Sequence, residues 1–145
     1  MRGKNVQQVQ RMAETFNRRD LEALLDVIDP DVEWIPIMAT LEGRVYRGHE
    51  GIRQWLDDLS TDWEVFETHQ EEFREIGDRV LVFGRWRARA RSSGVELENE
   101  PASWVIDLKD GKVVRLQTYT DRREAVEAVG LHDRKTGDSR RSSAR

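Results

Sequence analysis

Cysteine is absent from the 145 residues, so neither a disulfide framework nor thiolate chemistry is available. That absence fits a reducing compartment, and a cytoplasmic location is the expectation. Long apolar runs are missing too: no stretch approaches the roughly 20 apolar residues a membrane helix needs, so no membrane partner is expected. There is no basic excess. Lys and Arg number 24 against 28 Asp and Glu, a net charge of −4, which argues against a nucleic-acid partner. The three histidines are scattered without ligand spacing, so no metal site is expected. The first residues run into a polar helical pattern with no apolar h-region, so no secretory leader is expected.

What is present is aromatic. Five Trp, four Phe and two Tyr stand in a chain that is 36% charged, with a mean hydropathy of −0.76. Disordered chains are usually poor in such residues, so their presence points to a compact core or a pocket. The length suits one domain and is too thin for two.

The pattern reads helices first and strands after, the order of an α+β fold. Val6, Val9, Met12, Ala13 and Phe16 recur at helical spacing over 4–18. Asp20 can cap a second helix carrying Leu21, Leu24, Leu25 and Ile28, which Asp29-Pro30-Asp31 ends. Val32 to Pro36 reads as a short strand, with Pro36 at an edge or end. A loop through Gly43 and Gly48 leads to a third helix with Ile52, Trp55, Leu56 and Leu59 inward. Long strands follow over 63–76, 80–91, 95–108 and 112–120, turned at Gly77-Asp78, Ser93-Gly94 and Asp110-Gly111. A last helix opens at Asp121 and stops at Gly130. The domain is expected over 1–131, and the Arg/Ser-rich 132–145 as a disordered tail.

A two-residue turn at Ser93-Gly94 would set Arg91, Arg89 and Arg87 opposite Glu96, Glu98 and Glu100. Such a charged row is either solvated or pairs with a second copy, and a bulge is expected near Pro101.

Four segments, taken together, resemble the SnoaL-like polyketide cyclase family of the nuclear-transport-factor-2-like (cystatin-like) superfamily. They are Phe16-Asn17-Arg18-Arg19-Asp20-Leu21, Asp31-Val32-Glu33-Trp34, Tyr46-Arg47-Gly48-His49-Glu50-Gly51-Ile52, and Asp110-Gly111-Lys112-Val113 running on to Tyr119-Thr120-Asp121-Arg122-Arg123-Glu124-Ala125. The resemblance implies a cone-shaped sheet wrapped on three helices, a deep apolar pocket for a small hydrophobic molecule, and a homodimer. It also implies a cofactor-independent reaction where there is one, with the last-strand Asp121 as acid/base for closing a ring beside a carbonyl. The ketosteroid-isomerase pattern fails, because its base and its tyrosine fall on Trp34 and Met12. The epoxide-hydrolase pattern is incomplete, because Arg85-Trp86-Arg87 lacks the second aspartate.

Two readings of Asp121 compete. Alternation places it with Gln117 and Tyr119 on one strand face, where burial would raise its pKa for proton transfer. Asp121-Arg-Arg-Glu124 is equally a capping box, which would hold the carboxylate as an anion serving helix amides. His49, at the start of the third helix, is a neutral donor or acceptor for a substrate oxygen, or an exposed loop histidine. Trp34, Tyr46, Trp63 and Trp86 join Gln117 and Tyr119 as the candidate ligand-binding residues, with Trp104 a further aromatic candidate and Trp55 assigned to the core. Acid/base enzyme and non-catalytic binding domain both remain open.

Overall fold

A computed structural model of the chain describes residues 3–134; most of the expected polar tail, 135–145, lies outside them. Helix α1 (Lys4–Asn17) buries Val6, Val9, Met12, Ala13 and Phe16 on the stripe that the spacing defines. Arg19, at φ 57°, reverses the chain there. Its guanidinium donates to the carbonyls of Phe16 at 2.8 Å and Phe66 at 2.7 Å, tying the helix end to the sheet. Asp20 caps α2 (Leu21–Asp26) by accepting from the Ala23 amide at 3.2 Å.

Strand β1 (Ile28–Ile35) begins earlier than the Pro30 signal suggests. The proline is accommodated where β1 breaks its pairing with the last strand, between Ile28 and Glu33. Next comes a six-residue helix, α3 (Ile37–Glu42), in the stretch expected to be a loop. Strand β2 (Tyr46–Arg47) is only a bridge, and α4 (Gly48–Asp62) follows it. The long strands are β3 (Trp63–Ile76), β4 (Arg79–Ala90), β5 (Glu96–Lys109) and β6 (Lys112–Tyr119). Helix α5 (Arg122–Arg134) passes through Gly130 instead of stopping there.

The six strands form one curved, unclosed sheet in the order β2-β1-β6-β5-β4-β3. All neighbours are antiparallel except β1 and β6, which are parallel. α1 and α4 pack on the inner face around the main core, which holds Val9, Phe16, Ile52, Trp55, Val82 and Ile106. The outer face keeps a smaller cluster of Leu81, Phe83 and Val105, packed against Ala125 and Val129 of α5.

The central hairpin differs from its expected register. Its connection spans Arg91 to Val95, so Arg89, not Arg91, faces Glu96. The bulge falls between Trp86 and Ala88, opposite a segment where Asn99 takes φ 54°. On the outer face Arg87 contacts Glu67 at 2.9 Å and Glu98 at 3.9 Å. Arg89 likewise contacts Glu96 at 2.8 Å and Glu64 at 3.8 Å. These rows are solvent-exposed ion pairs of small individual worth.

Gly84 shapes the inner face. A Cβ there would lie 2.1 Å from the His69 carbonyl oxygen, so only glycine allows β3 to approach β4 so closely. The approach coincides with a β3 bulge between Gln70 and Glu72. Among the described residues no helix is long and apolar enough to cross a membrane.

Candidate functional site

Between α1, α4 and the inner face lies a cavity of about 60 Å³. Rings make up much of its wall, and they touch in sequence. Trp34 of β1 meets Trp55 of α4 at 5.1 Å, Trp55 stacks on Phe16 of α1 at 4.8 Å, and Phe16 meets Phe66 of β3 edge-on at 6.4 Å. Phe66 then stacks on Trp86 of β4 at 5.5 Å. Trp104 of β5 joins the wall, with Met12, Val82, Ile106 and Leu116 filling between the rings. Pro36 and Ile37, at the start of α3, form one side.

Polar groups are few. Gln70 donates to the Thr68 hydroxyl at 2.8 Å, and the Thr68 backbone exchanges hydrogen bonds with Asn17 at 2.9 and 3.2 Å. Thr118 adds a hydroxyl from β6. Trp34 is 3% exposed, and its indole N–H has no hydrogen-bond partner among the described residues. No Asp, Glu, His, Lys, Arg or Tyr belongs to the described wall.

A wider hollow of about 550 Å³ adjoins the cavity and shares Pro36 and Trp55 with it. Here Tyr46 and Trp63 are found. The Tyr46 hydroxyl donates to Asp58 Oδ2 at 2.6 Å, and the Arg44 guanidinium lies over the Tyr46 ring at 5.1 Å. Arg44 also pairs with Glu42 at 2.6 Å and approaches Asp58 at 4.0 Å. Burial and then the Asp58 carboxylate push the Tyr46 phenol above its ordinary pKa. The hydrogen bond from Tyr46 holds Asp58 below the usual carboxylate value. The pair is thus a neutral phenol donating to an anion.

The structure divides the sequence candidates. Trp34 and Trp86 line the cavity, while Tyr46 and Trp63 line the hollow. Gln117 and Tyr119 lie on the opposite face, where Tyr119 packs on the cluster under α5. The cause is an extra residue, Val114, in β6: Asp107 pairs with Arg115 but Leu108 pairs with Val113. That bulge hands the inner face to Leu116 and Thr118. Asp121 is exposed, and its Oδ1 accepts the Arg123 amide at 2.8 Å, while its carbonyl accepts from Glu124 and Ala125. It is not part of the cavity wall, and its bonds are those of a helix cap. His49 is half-buried, and its Nε2 sits 2.8 Å from the Ile28 carbonyl. A carbonyl can only accept, so Nε2 carries the proton and pins α4 to β1. Phe16, Trp55, Phe66, Thr68, Gln70 and Thr118 were not singled out by sequence as site residues. Trp55 had the signal, a tryptophan on an inward helical stripe, but that stripe reads equally as core.

The SnoaL-like domain profile matches residues 9–116. A nuclear-transport-factor-2-like protein of unknown function from Burkholderia pseudomallei is 26% identical, with a TM-score of 0.73 over 87% of this chain and 97% of that one. A nuclear-transport-factor-2-like protein from Burkholderia xenovorans is 30% identical, covering 86% and 95% at a TM-score of 0.66. TerC, crystallised with polyporic acid, is 28% identical, covering 90% and 97% at a TM-score of 0.72. No curated protein matches the chain in sequence. The profile match over most of the chain, on a curved sheet of this topology, shows that the chain belongs to the SnoaL-like domain family.

Proposed function

We propose that the chain is a small-molecule binding protein whose ligand occupies the aromatic cavity, and that the cavity wall performs no proton transfer. The carrying observation is the wall itself: a run of stacked and edge-on rings, a few hydroxyl and N–H groups, and no titratable side chain among its described residues. Small-molecule sites are built in this way, with apolar walls and a few fixed polar groups. General acid/base catalysis instead needs a titratable group within hydrogen-bond reach of the reacting atoms. Asp121, the family's acid/base position, serves the α5 amides and faces solvent. The co-crystallisation of TerC, a structural neighbour, with polyporic acid supports a small-molecule role.

At about 60 Å³ the cavity is smaller than the roughly 150 Å³ of an apolar cavity that admits benzene. Ligand entry therefore requires a wall to move. Pro36, just before α3, and Trp55 line both the cavity and the hollow and so stand between them. The ligand would enter from the hollow, past Pro36 and Trp55. We also carry forward the homodimer that the family implies; a sedimentation run giving only the 17.0 kDa monomer at high concentration would remove it.

The test is a titration of the purified protein with planar aromatic compounds, read by tryptophan fluorescence and calorimetry. Saturable one-site binding that is lost in Ala102→Leu, which fills the cavity from β5, supports the reading. Binding unaffected by that substitution would place the ligand elsewhere and overturn it.

A further inference from the structure

We infer that the indole N–H of Trp34 is the recognition donor of the cavity, and that the site selects a neutral, planar aromatic compound carrying a carbonyl-type acceptor oxygen. This rests on the binding reading above and specifies its ligand class. The indole nitrogen only donates. It is buried, it has no partner among the described residues, and it belongs to a cavity-wall side chain. The ring cannot readily swing away to find water, because Trp55 holds it at 5.1 Å and Trp55 is itself stacked on Phe16. A buried donor without an acceptor is unfavourable, so a ligand that brings an acceptor to it is favoured.

The other features of the wall narrow the ligand further. Gln70 donates to the Thr68 hydroxyl two residues before it on β3, and the Thr68 backbone is bonded to Asn17, so these groups are already engaged within the wall. No cationic side chain is in the described wall to neutralise a carboxylate or phosphate, so a neutral acceptor fits and an anion does not. The flat faces of Trp34, Trp55 and Trp86 favour an aromatic skeleton over a bulky aliphatic one.

The experiment compares fluorene with fluorenone, planar compounds of nearly one shape that differ by a carbonyl. The wild-type protein is expected to bind fluorenone about tenfold more tightly, one hydrogen bond's worth of discrimination. In Trp34→Phe the two affinities should come within about twofold of each other. The Trp34 indole ¹H–¹⁵N resonance of the wild-type protein should move downfield with fluorenone and not with fluorene. That readout holds even where the variant folds poorly. Equal affinity for both compounds, or an unmoved indole resonance with fluorenone bound, overturns the inference and leaves the binding reading intact. Failure of both compounds to bind overturns the binding reading, and the inference with it.

Discussion

Replacing Gly84 by alanine and Gly130 by alanine adds one methyl group each, and the structure gives the two changes opposite signs. At Gly84 the new Cβ would lie 2.1 Å from the His69 carbonyl oxygen and 3.1 Å from the Gln70 Cα, both backbone atoms of β3. Nothing flexible can yield there, so β3 must retreat by roughly 1 Å, at the upper end of the about 1–3 kcal/mol that overpacking costs. Alanine also restricts the unfolded chain, which returns about 0.4–1 kcal/mol. The net loss is about 2 kcal/mol, or about 7 °C in Tm for a chain of this size. At Gly130, inside α5, nothing lies within 4 Å of the added Cβ. There alanine gains about 0.5 kcal/mol, part of its helix-propensity advantage because the position is near the helix end. Thermal and urea unfolding followed by far-UV circular dichroism would measure both. A Gly84→Ala protein that melts within about 2 °C of wild type would refute the close approach of β3 to β4. It would also undermine the placement of Thr68 and Gln70 in the cavity wall.

Three further outcomes are expected. Tyr46→Phe should cost about 1 kcal/mol, below the roughly 1.5–3 kcal/mol of a buried hydrogen bond to a charged group, since the Asp58 side chain is 35% exposed. Asp58 is depressed in the fold, so its contribution is complete above the ordinary carboxylate pKa and is lost as pH falls through the lower folded value. Tyr46 is raised, so its contribution is complete below the ordinary phenol pKa and is lost as pH rises through the folded one. Both limbs of the wild-type stability profile should flatten in the variant, and an unchanged profile from pH titration of urea midpoints would contradict the pairing. Asp121→Ala should lower stability by about 1 kcal/mol through the lost cap and leave fluorenone affinity unchanged by calorimetry; a loss of affinity with the fold intact would return Asp121 to the ligand site. Ala102→Val, opposite Gly84 in the cavity wall, should raise stability by at most about 1.4 kcal/mol, the value of filling about 60 Å³, while weakening the ligand, and a Tm drop would show the cavity already filled.

Much of the fold was legible because single residues carry local physics. Gly77, Gly94 and Gly111 all take positive φ, at the three turns that the sequence marks. The α1 stripe is likewise buried where its spacing puts it. What failed was what depends on partners. Val114 is an ordinary strand residue, and only the way its neighbours Val113 and Arg115 pair with β5 leaves it as the extra residue that turns Gln117 and Tyr119 outward. Pro30 reads as a break, yet β1 tolerates it because the pairing to β6 lapses there. The site was half legible for the same reason. Trp34 and Trp86 were legible as large aromatics on strands, whereas Phe16 and Trp55 join the wall only because two helices cross the same sheet.

The last strand in the sheet order has a consequence for handling the protein. β3 is an edge strand of 14 residues; Arg19 and Asn17 cover its Phe66 and Thr68 backbone groups, and the rest of that edge could template another chain. Glu64, Glu67, Glu71, Glu72 and Arg74 along it keep that edge hydrated and make strand addition electrostatically unfavourable. Most of this protection is carboxylate, so it fades in acid. Aggregation should therefore begin from this edge below the carboxylate range, before the core itself has melted.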